Sequence, residues 1–229
     1  MERRFNLLIV FFIFVALLSL AGFFNSYISL LPDKAKFPLV IHIHFAAFVC
    51  WFILLIVQPI LIRLKKYDLH SQMGKISYIL APILVTTILI LVKQQAESGI
   101  MNSRSDVFIT SFIGVLDAIS FSTFYLIAML NRQNVRWHVA FLIGATLVVL
   151  NPGMSRLFNQ IIPGLGLLAA ILLPFVIPIA ILSVEKIKHR RPILKSPYFL
   201  FLCCWTTEII LFLTIPNTDF WRNFILKVL

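Results

Sequence analysis

The chain has 229 residues, of which 60% are hydrophobic and only 13% are charged, and it contains 22 phenylalanines. Soluble domains carry roughly twice that charged fraction, so the composition excludes a soluble core and indicates a multi-pass membrane protein. The formal charge of +11 comes from Lys and Arg in short segments between apolar runs, where basic residues report topology and imply no nucleic-acid partner.

Seven stretches are apolar over about the 20 residues that a membrane-crossing helix needs. In chain order they are residues 5–23, 39–62, 76–92, 107–130, 138–158, 161–184 and 197–215. No internal repeat or long linker separates them. The pattern therefore predicts an all-α polytopic membrane helix bundle, a single domain over residues 1–229 whose core helices lie at about 38–158.

The basic residues predict how these spans are oriented. Of the 20 Lys and Arg residues, thirteen fall on the side that holds the N-terminus and seven on the other side. The excess places the N-terminus in the cytoplasm. The first span also has the basic start and the small residues, Ser19 and Ala21, of a signal peptide. Cleavage there would leave six spans with the same orientation.

Catalytic and metal-binding patterns are not found in the sequence. There is no phosphate loop, GxSxG or HExxH motif. The three cysteines, Cys50, Cys203 and Cys204, lie in apolar runs without zinc-ligand spacing. We therefore predict no catalytic residues and no metal site, and we expect the chain not to be an enzyme.

A group of polar residues inside the spans is the main candidate for function. Ionisable groups in a bilayer cost about 2.5 to 3.5 kcal/mol each, so they usually face other helices. At 1.5 Å per residue, His44 lies about 9 Å below the outer boundary and Asp117 about 15 Å. We expect His44 to face Asp117 and Arg156. The predicted ligand-binding or proton-relay site comprises His44, Trp51, Gln58, Asp117, Asn151, Arg156 and Glu208.

The membership of that site follows from helical spacing and depth. Trp51 and Gln58 continue the stripe of His44 at three-and-four spacing, whereas His42 lies about 200° from His44 around the helix. Asn151 and Glu208 have similar outer-half depths. The alternative is structural, because Arg156 could simply pair with a carboxylate and the amides could bond neighbouring helices.

The segment "VVLNPGMSR", residues 148–156, adds a backbone feature at the same depth. Pro152 lacks an N–H and Gly153 permits a bend, so a kink or break is expected. Broken helices occur at transporter binding sites, although a simple packing kink is an equally physical explanation. The sixth span, with Pro163, Pro174 and Pro178, is also expected to be bent or interrupted.

Two further histidines, His70 and His138, lie at the predicted cytoplasmic boundary. Imidazoles at one depth on facing helices could provide bis-histidine ligation of a haem b. The alternative is that each histidine caps a helix or contacts lipid phosphate.

The stretches "IHIHFAAFVCWFILLIVQPILIRLKKYDLHSQMGKISYILAP" and "RWHVAFLIGATLVVLNPGMSR" resemble an uncharacterised bacterial multi-pass membrane protein family. That family is similar in outline to b-type cytochrome membrane domains, which implies an inner-membrane location and electron transfer. Di-haem proteins of that kind have two histidine pairs. This chain has Asp117 where a second outer histidine would lie, so the resemblance implies at most one haem, on the cytoplasmic side.

Three functions remain open from the sequence. The first is an outer-half polar site that binds a small molecule or relays protons. The second is a haem- or quinone-linked redox protein that uses His70 and His138. The third is an accessory subunit that packs against another membrane protein. All three functions place the chain in a lipid bilayer.

Overall fold

The computed structural model of the protein describes residues 2–33 and 36–228, with side chains for 5–33 and 36–227. Lys34 and the side chains of Arg3 and Arg4, which contribute to the charge asymmetry, lie outside the described residues. The described chain forms the α-helices α1 (Glu2–Phe24), α2 (Leu39–Arg63), α3 (Tyr67–Gly74), α4 (Ser77–Met101), α5 (Val107–Leu130), α6 (Val135–Ile161), α7 (Leu165–His189), α8 (Pro197–Thr214) and α9 (Asp219–Val228).

Seven helical segments are long and apolar enough to cross a membrane, namely α1, α2, α4 with the short α3 before it, α5, α6, α7 and α8. The predicted all-α polytopic bundle with seven spans is therefore confirmed. The largest boundary difference is in α4, which continues to Met101 although hydropathy predicted an end at residue 92. Its extra turns begin with the good helix formers of residues 93–97, and Lys93 and Glu97 form an ion pair of 3.8 Å one turn apart.

Five helices close into a ring. α1 packs against α2, α2 against α4, α4 against α5, α5 against α6, and α6 packs back against α1. The helices α7 and α8 lie outside this ring, on α6. The predicted core at 38–158 therefore contains four of the ring helices, and α1 supplies the fifth. Most residues of the membrane-crossing part of α6 are buried. The reason is that α6 packs against α1 and α5 within the ring and against α7 and α8 outside it.

The crossing of α1 and α6 is closer than side chains would allow. A Cβ added to Gly22 would lie 1.8 Å from the carbonyl oxygen of Gly153, and a Cβ on Gly153 would lie 2.8 Å from Cα of Ser19. Small residues let membrane helices approach backbone to backbone in this way. Gly153 of the NPG segment therefore serves the packing of α6 against α1.

The prolines do not interrupt the helices that contain them. α6 runs from Val135 to Ile161 through Pro152, and α7 runs from Leu165 to His189 through Pro174 and Pro178. Of the two expected alternatives, an interruption is therefore excluded at these prolines, and a bend stays a prediction. Neighbouring helices and local adjustments compensate for the backbone bonds that a proline removes.

Candidate functional site

A cavity of about 680 Å³ lies inside the helix ring, toward the end opposite the N-terminus. We call it the His44 cavity. All five ring helices contribute to its wall, and His44, Asp117 and Arg156 are among the lining residues. The rest of the wall is mainly aliphatic and aromatic, with rings from Phe23, Phe37, Phe45, Phe48 and Phe121.

The hydrogen bonds around His44 determine which ring nitrogen carries its proton. The Thr87 hydroxyl donates along α4 to the carbonyl oxygen of Ile83, at 2.6 Å. A hydroxyl has one hydrogen, so Oγ1 of Thr87 accepts from Nδ1–H of His44, at 2.8 Å. In the neutral imidazole, Nε2 then keeps its lone pair. His44 is thus anchored to α4 and has one nitrogen available as a proton acceptor.

Asp117 and Arg156 share the cavity without pairing. Among the described side chains, neither takes part in an ion pair. The Arg156 guanidinium lies 4.5 Å from the centroid of the Phe23 ring and donates to the carbonyl oxygen of Pro152, at 3.1 Å. No hydrogen bond joins His44 to either charge within the described chain. The three predicted residues therefore share a cavity but do not contact one another directly.

His42 faces a different neighbour, as its position around α2 requires. Its Nδ1 lies 2.6 Å from the hydroxyl of Tyr27, which follows α1. Burial raises the pKa of Tyr27 above its ordinary value of 10.0, so this phenol keeps its proton at neutral pH. Tyr27 also lines the His44 cavity, whereas His42 does not.

Three polar residues of α4 that line the His44 cavity were not predicted from the sequence. Gln94, Gln95 and Ser98 lie on the last turns of α4 and face the cavity. They were missed because hydropathy ended the third span at residue 92. The signal that could have found them is helix propensity, which stays high through this polar segment.

Asn151 and Glu208 lie outside the cavity wall. Asn151 is buried on α6, and its Oδ1 has no hydrogen-bond partner in the described part of the chain. Glu208 is buried on α8, where it interacts with Ser120 of α5 and lies within electrostatic range of Asp117. Depth alone grouped these residues with His44, but α8 lies outside the ring.

A second cavity, also of about 680 Å³, lies inside the ring toward the N-terminal end. We call it the His70 cavity. His70 and His138, the predicted cytoplasmic pair, both line it. Trp51 and Gln58 also line this cavity and not the His44 cavity. The helical stripe placed them on the correct face, but Gln58 is about 21 Å farther along the helix than His44.

The two predicted haem ligands differ in their hydrogen bonding. With its amide nitrogen turned toward His70, Gln58 donates to Nδ1 and to the carbonyl oxygen of His70 and accepts from the N–H of Gly74. The proton of neutral His70 then lies on Nε2. His138 instead donates from Nδ1 to the carbonyl oxygen of Ala128, at 2.8 Å, which leaves its Nε2 lone pair free. The cavity thus receives one free imidazole lone pair, whereas bis-histidine ligation needs two.

A layer of aromatic rings separates the two cavities. Trp51 lines the His70 cavity and Phe121 lines the His44 cavity. Their ring centroids are 5.2 Å apart in an edge-to-face contact, and Trp51 also packs edge-to-face against Tyr125 at 5.7 Å. The contact between Trp51 and Phe121 therefore lies between the His70 cavity and the His44 cavity.

Protein-family models, curated proteins and solved structures provide no match to this chain. The resemblance described from the sequence therefore stays a prediction.

One ionic cluster around the buried carboxylate of Glu185 was missed entirely. Arg136 makes two hydrogen bonds to Glu185, at 2.9 and 2.6 Å, and the Ser196 hydroxyl donates to the same carboxylate at 2.8 Å. Arg191 lies 3.6 Å away. The predicted sixth span ended at residue 184, so Glu185 was counted as a loop residue. The cluster joins α6, α7 and the start of α8, outside both cavities.

Metal binding has no structural support in the described residues. No three His, Cys, Asp or Glu side chains there come together in a way that could hold a metal ion.

Proposed function

We propose that this multi-pass membrane protein binds a small molecule with an ionisable head and an apolar body in the His44 cavity. The observation that supports this most directly is the sharing of one cavity by His44, Asp117 and Arg156, which come from three different helices. A space of about 680 Å³ with a mainly apolar wall and a few polar groups has the size and character of small-molecule sites. The bacterial inner membrane is the proposed location.

The charged side chains of the His44 cavity favour a ligand that carries both a positive and a negative charge. Asp117 and Arg156 line the same space, yet they form no ion pair with each other. Charges inside a membrane protein are usually compensated by a partner or by water. A ligand ammonium group would complement Asp117, and a ligand carboxylate would complement Arg156 through paired hydrogen bonds. A small zwitterion is therefore the class that fits best.

Binding is better supported than proton relay. His44 and Asp117 can both exchange protons, but a relay across the membrane also needs a hydrogen-bonded path to the other side. The contact between Trp51 and Phe121 separates the two cavities at the ring centre. A relay also has no need for a cavity of this volume, whereas an organic ligand does.

Cysteine labelling tests whether the cavity is open to water. In a background with Cys50, Cys203 and Cys204 replaced by alanine, Ile88→Cys introduces a thiol on the cavity wall. Leu89→Cys is the matched control, because Leu89 is the next residue of α4 and is exposed on the outside of the bundle.

We expect charged methanethiosulfonate reagents to label Ile88→Cys at least about tenfold faster than Leu89→Cys, because a thiol in lipid does not ionise. In the Ile88→Cys background, Arg156→Leu should slow the anionic reagent more than the cationic one. Equal labelling of the two cysteine variants would contradict an aqueous cavity.

A matched ligand series tests the charge assignment. The series consists of three compounds with the same phenyl ring. Phenylalanine carries both an ammonium and a carboxylate, phenethylamine carries only the ammonium, and 3-phenylpropionate carries only the carboxylate. We expect phenylalanine to raise the Tm of the purified protein most, since a ligand of the folded state stabilises it. Asp117→Asn should weaken mainly the amine and Arg156→Leu mainly the carboxylate, while His44→Ala should weaken all three without unfolding the protein. The proposal fails if no member of the series binds and the cavity cysteine is also unlabelled.

A further inference from the structure

The geometry points to a second ligand site at the other end of the ring: we propose that the His70 cavity binds an anionic amphiphile, a phosphate or carboxylate head on an apolar body. This site is independent of the function proposed for the His44 cavity.

Apart from two tyrosines, the ionisable side chains on the wall of the His70 cavity are all basic. They are Lys75, Arg132, His70 and His138, and the described lining includes no aspartate or glutamate. Lys75 and Arg132 form no ion pair with any described carboxylate. Among the described side chains, Arg132 reaches only the hydroxyl of Tyr78, at 3.4 Å. Two uncompensated cations at one opening attract an anion and disfavour a cation.

The two histidines of the wall offer opposite hydrogen-bonding groups. Because Gln58 donates to Nδ1 of His70, Nε2 of His70 carries a hydrogen and can donate. Nε2 of His138 can accept instead, because its Nδ1–H donates to the carbonyl oxygen of Ala128. The preference for an anion therefore depends on Lys75 and Arg132 at the opening.

The distribution of these groups gives the occupant its orientation. Lys75 and Arg132 lie in the connections at the end of the ring, on exposed positions. The deeper wall is apolar, with Phe12 from α1 and Leu54 and Leu55 from α2. An anionic head would bind at the opening, and an apolar body would extend inward toward Trp51. Basic residues at the end of a membrane bundle commonly bind acidic headgroups in this manner.

This chemistry has two possible sources, an acidic membrane lipid or a soluble anion with an apolar tail. Dioleoyl phosphatidylglycerol represents the first and dodecyl phosphate the second. Dioleoyl phosphatidylcholine and dodecanol are the matched probes without net negative charge. Binding to the full chain, purified in dodecyl maltoside, is measured by native mass spectrometry and by the shift in Tm.

We expect at least one anionic probe to bind at least tenfold more tightly than its matched probe. Binding of the glycerol lipid alone identifies a membrane lipid as the source, and binding of dodecyl phosphate alone identifies a soluble ligand. If neither anionic probe binds more tightly than its match, the proposal is overturned.

Variants locate the site. Lys75→Gln and Arg132→Gln should each weaken binding about tenfold, the effect of losing one hydrogen bond to a charged group. Lys186→Gln is the control, because Lys186 is exposed near the same end of the bundle but does not line the cavity. An equal loss of affinity in Lys186→Gln would mean general surface attraction and would overturn the assigned site.

Discussion

The substitution Gly22→Ala tests the close crossing of α1 and α6. The added methyl would lie 1.8 Å from the carbonyl oxygen of Gly153, and ordinary contact begins at 3.4 Å. The helices would therefore have to separate by up to about 1.6 Å, because backbone atoms have no rotamer that could relieve the clash. Overpacking of this kind costs up to about 3 kcal/mol, and the better helix propensity of alanine returns up to about 1 kcal/mol. We expect a net loss of about 2 kcal/mol in the free energy of unfolding.

Thermal unfolding of the purified protein, followed by circular dichroism, measures this effect. A loss of about 2 kcal/mol corresponds to a Tm lower by about 4 to 8 °C for a chain of this length. Gly74→Ala is the matched control, since its added methyl would meet only the Gln58 side chain, at 3.9 Å. We expect Gly74→Ala to leave the Tm unchanged or to raise it. If Gly22→Ala behaves like Gly74→Ala, the reasoning about backbone contact is refuted.

Three further predictions concern the ionic cluster, the histidines and the topology. Arg136→Met should lower the free energy of unfolding by about 2 kcal/mol, because it leaves the buried Glu185 carboxylate without its paired donor. Adding Glu185→Leu to that variant should restore part of the lost free energy. Chemical denaturation of the single and double variants measures both effects. The visible spectrum of the purified protein should show no bis-histidine haem, and a Soret band that disappears in both His70→Ala and His138→Ala would contradict the hydrogen bonding of His70. Alkaline phosphatase fused to the C-terminus should be active and green fluorescent protein fused there should be dark; the reverse pattern would disprove the orientation predicted from Lys and Arg.

The helices were predictable from the sequence because a bilayer restricts the possible structures. Every backbone group in a membrane interior must bond within its own segment, so an apolar run of sufficient length can only be a helix. The span predicted at 107–130 coincides with α5, and the others differ mainly at their ends. Hydropathy failed where a helix continues into polar sequence, as α4 does beyond residue 92.

The arrangement of the polar residues was less predictable, because depth and helical face do not specify which helices are neighbours. His44, Asp117 and Arg156 share a cavity because α2, α5 and α6 belong to one ring. Glu208 has a similar depth, but α8 packs outside that ring. Single-sequence patterns contain no information on these neighbours, so Glu208 was grouped with the others.

The same limit applies to local hydrogen bonds. The sequence places His70 and His138 at one end of the bundle, but it does not show that Gln58 donates to one imidazole while Ala128 accepts from the other. Those bonds decide which nitrogen of each ring is available. They depend on atoms that come together only after the helices pack.

The ring contact between Trp51 and Phe121 joins the wall of one cavity to the wall of the other. Aromatic side chains in a close-packed interior move together, since a displaced ring must take space from its neighbour. A ligand that shifts Phe121 from one side changes the surface that Trp51 offers on the other. If both proposed ligands bind and either one shifts these rings, the resulting change in affinity would be equal in both directions.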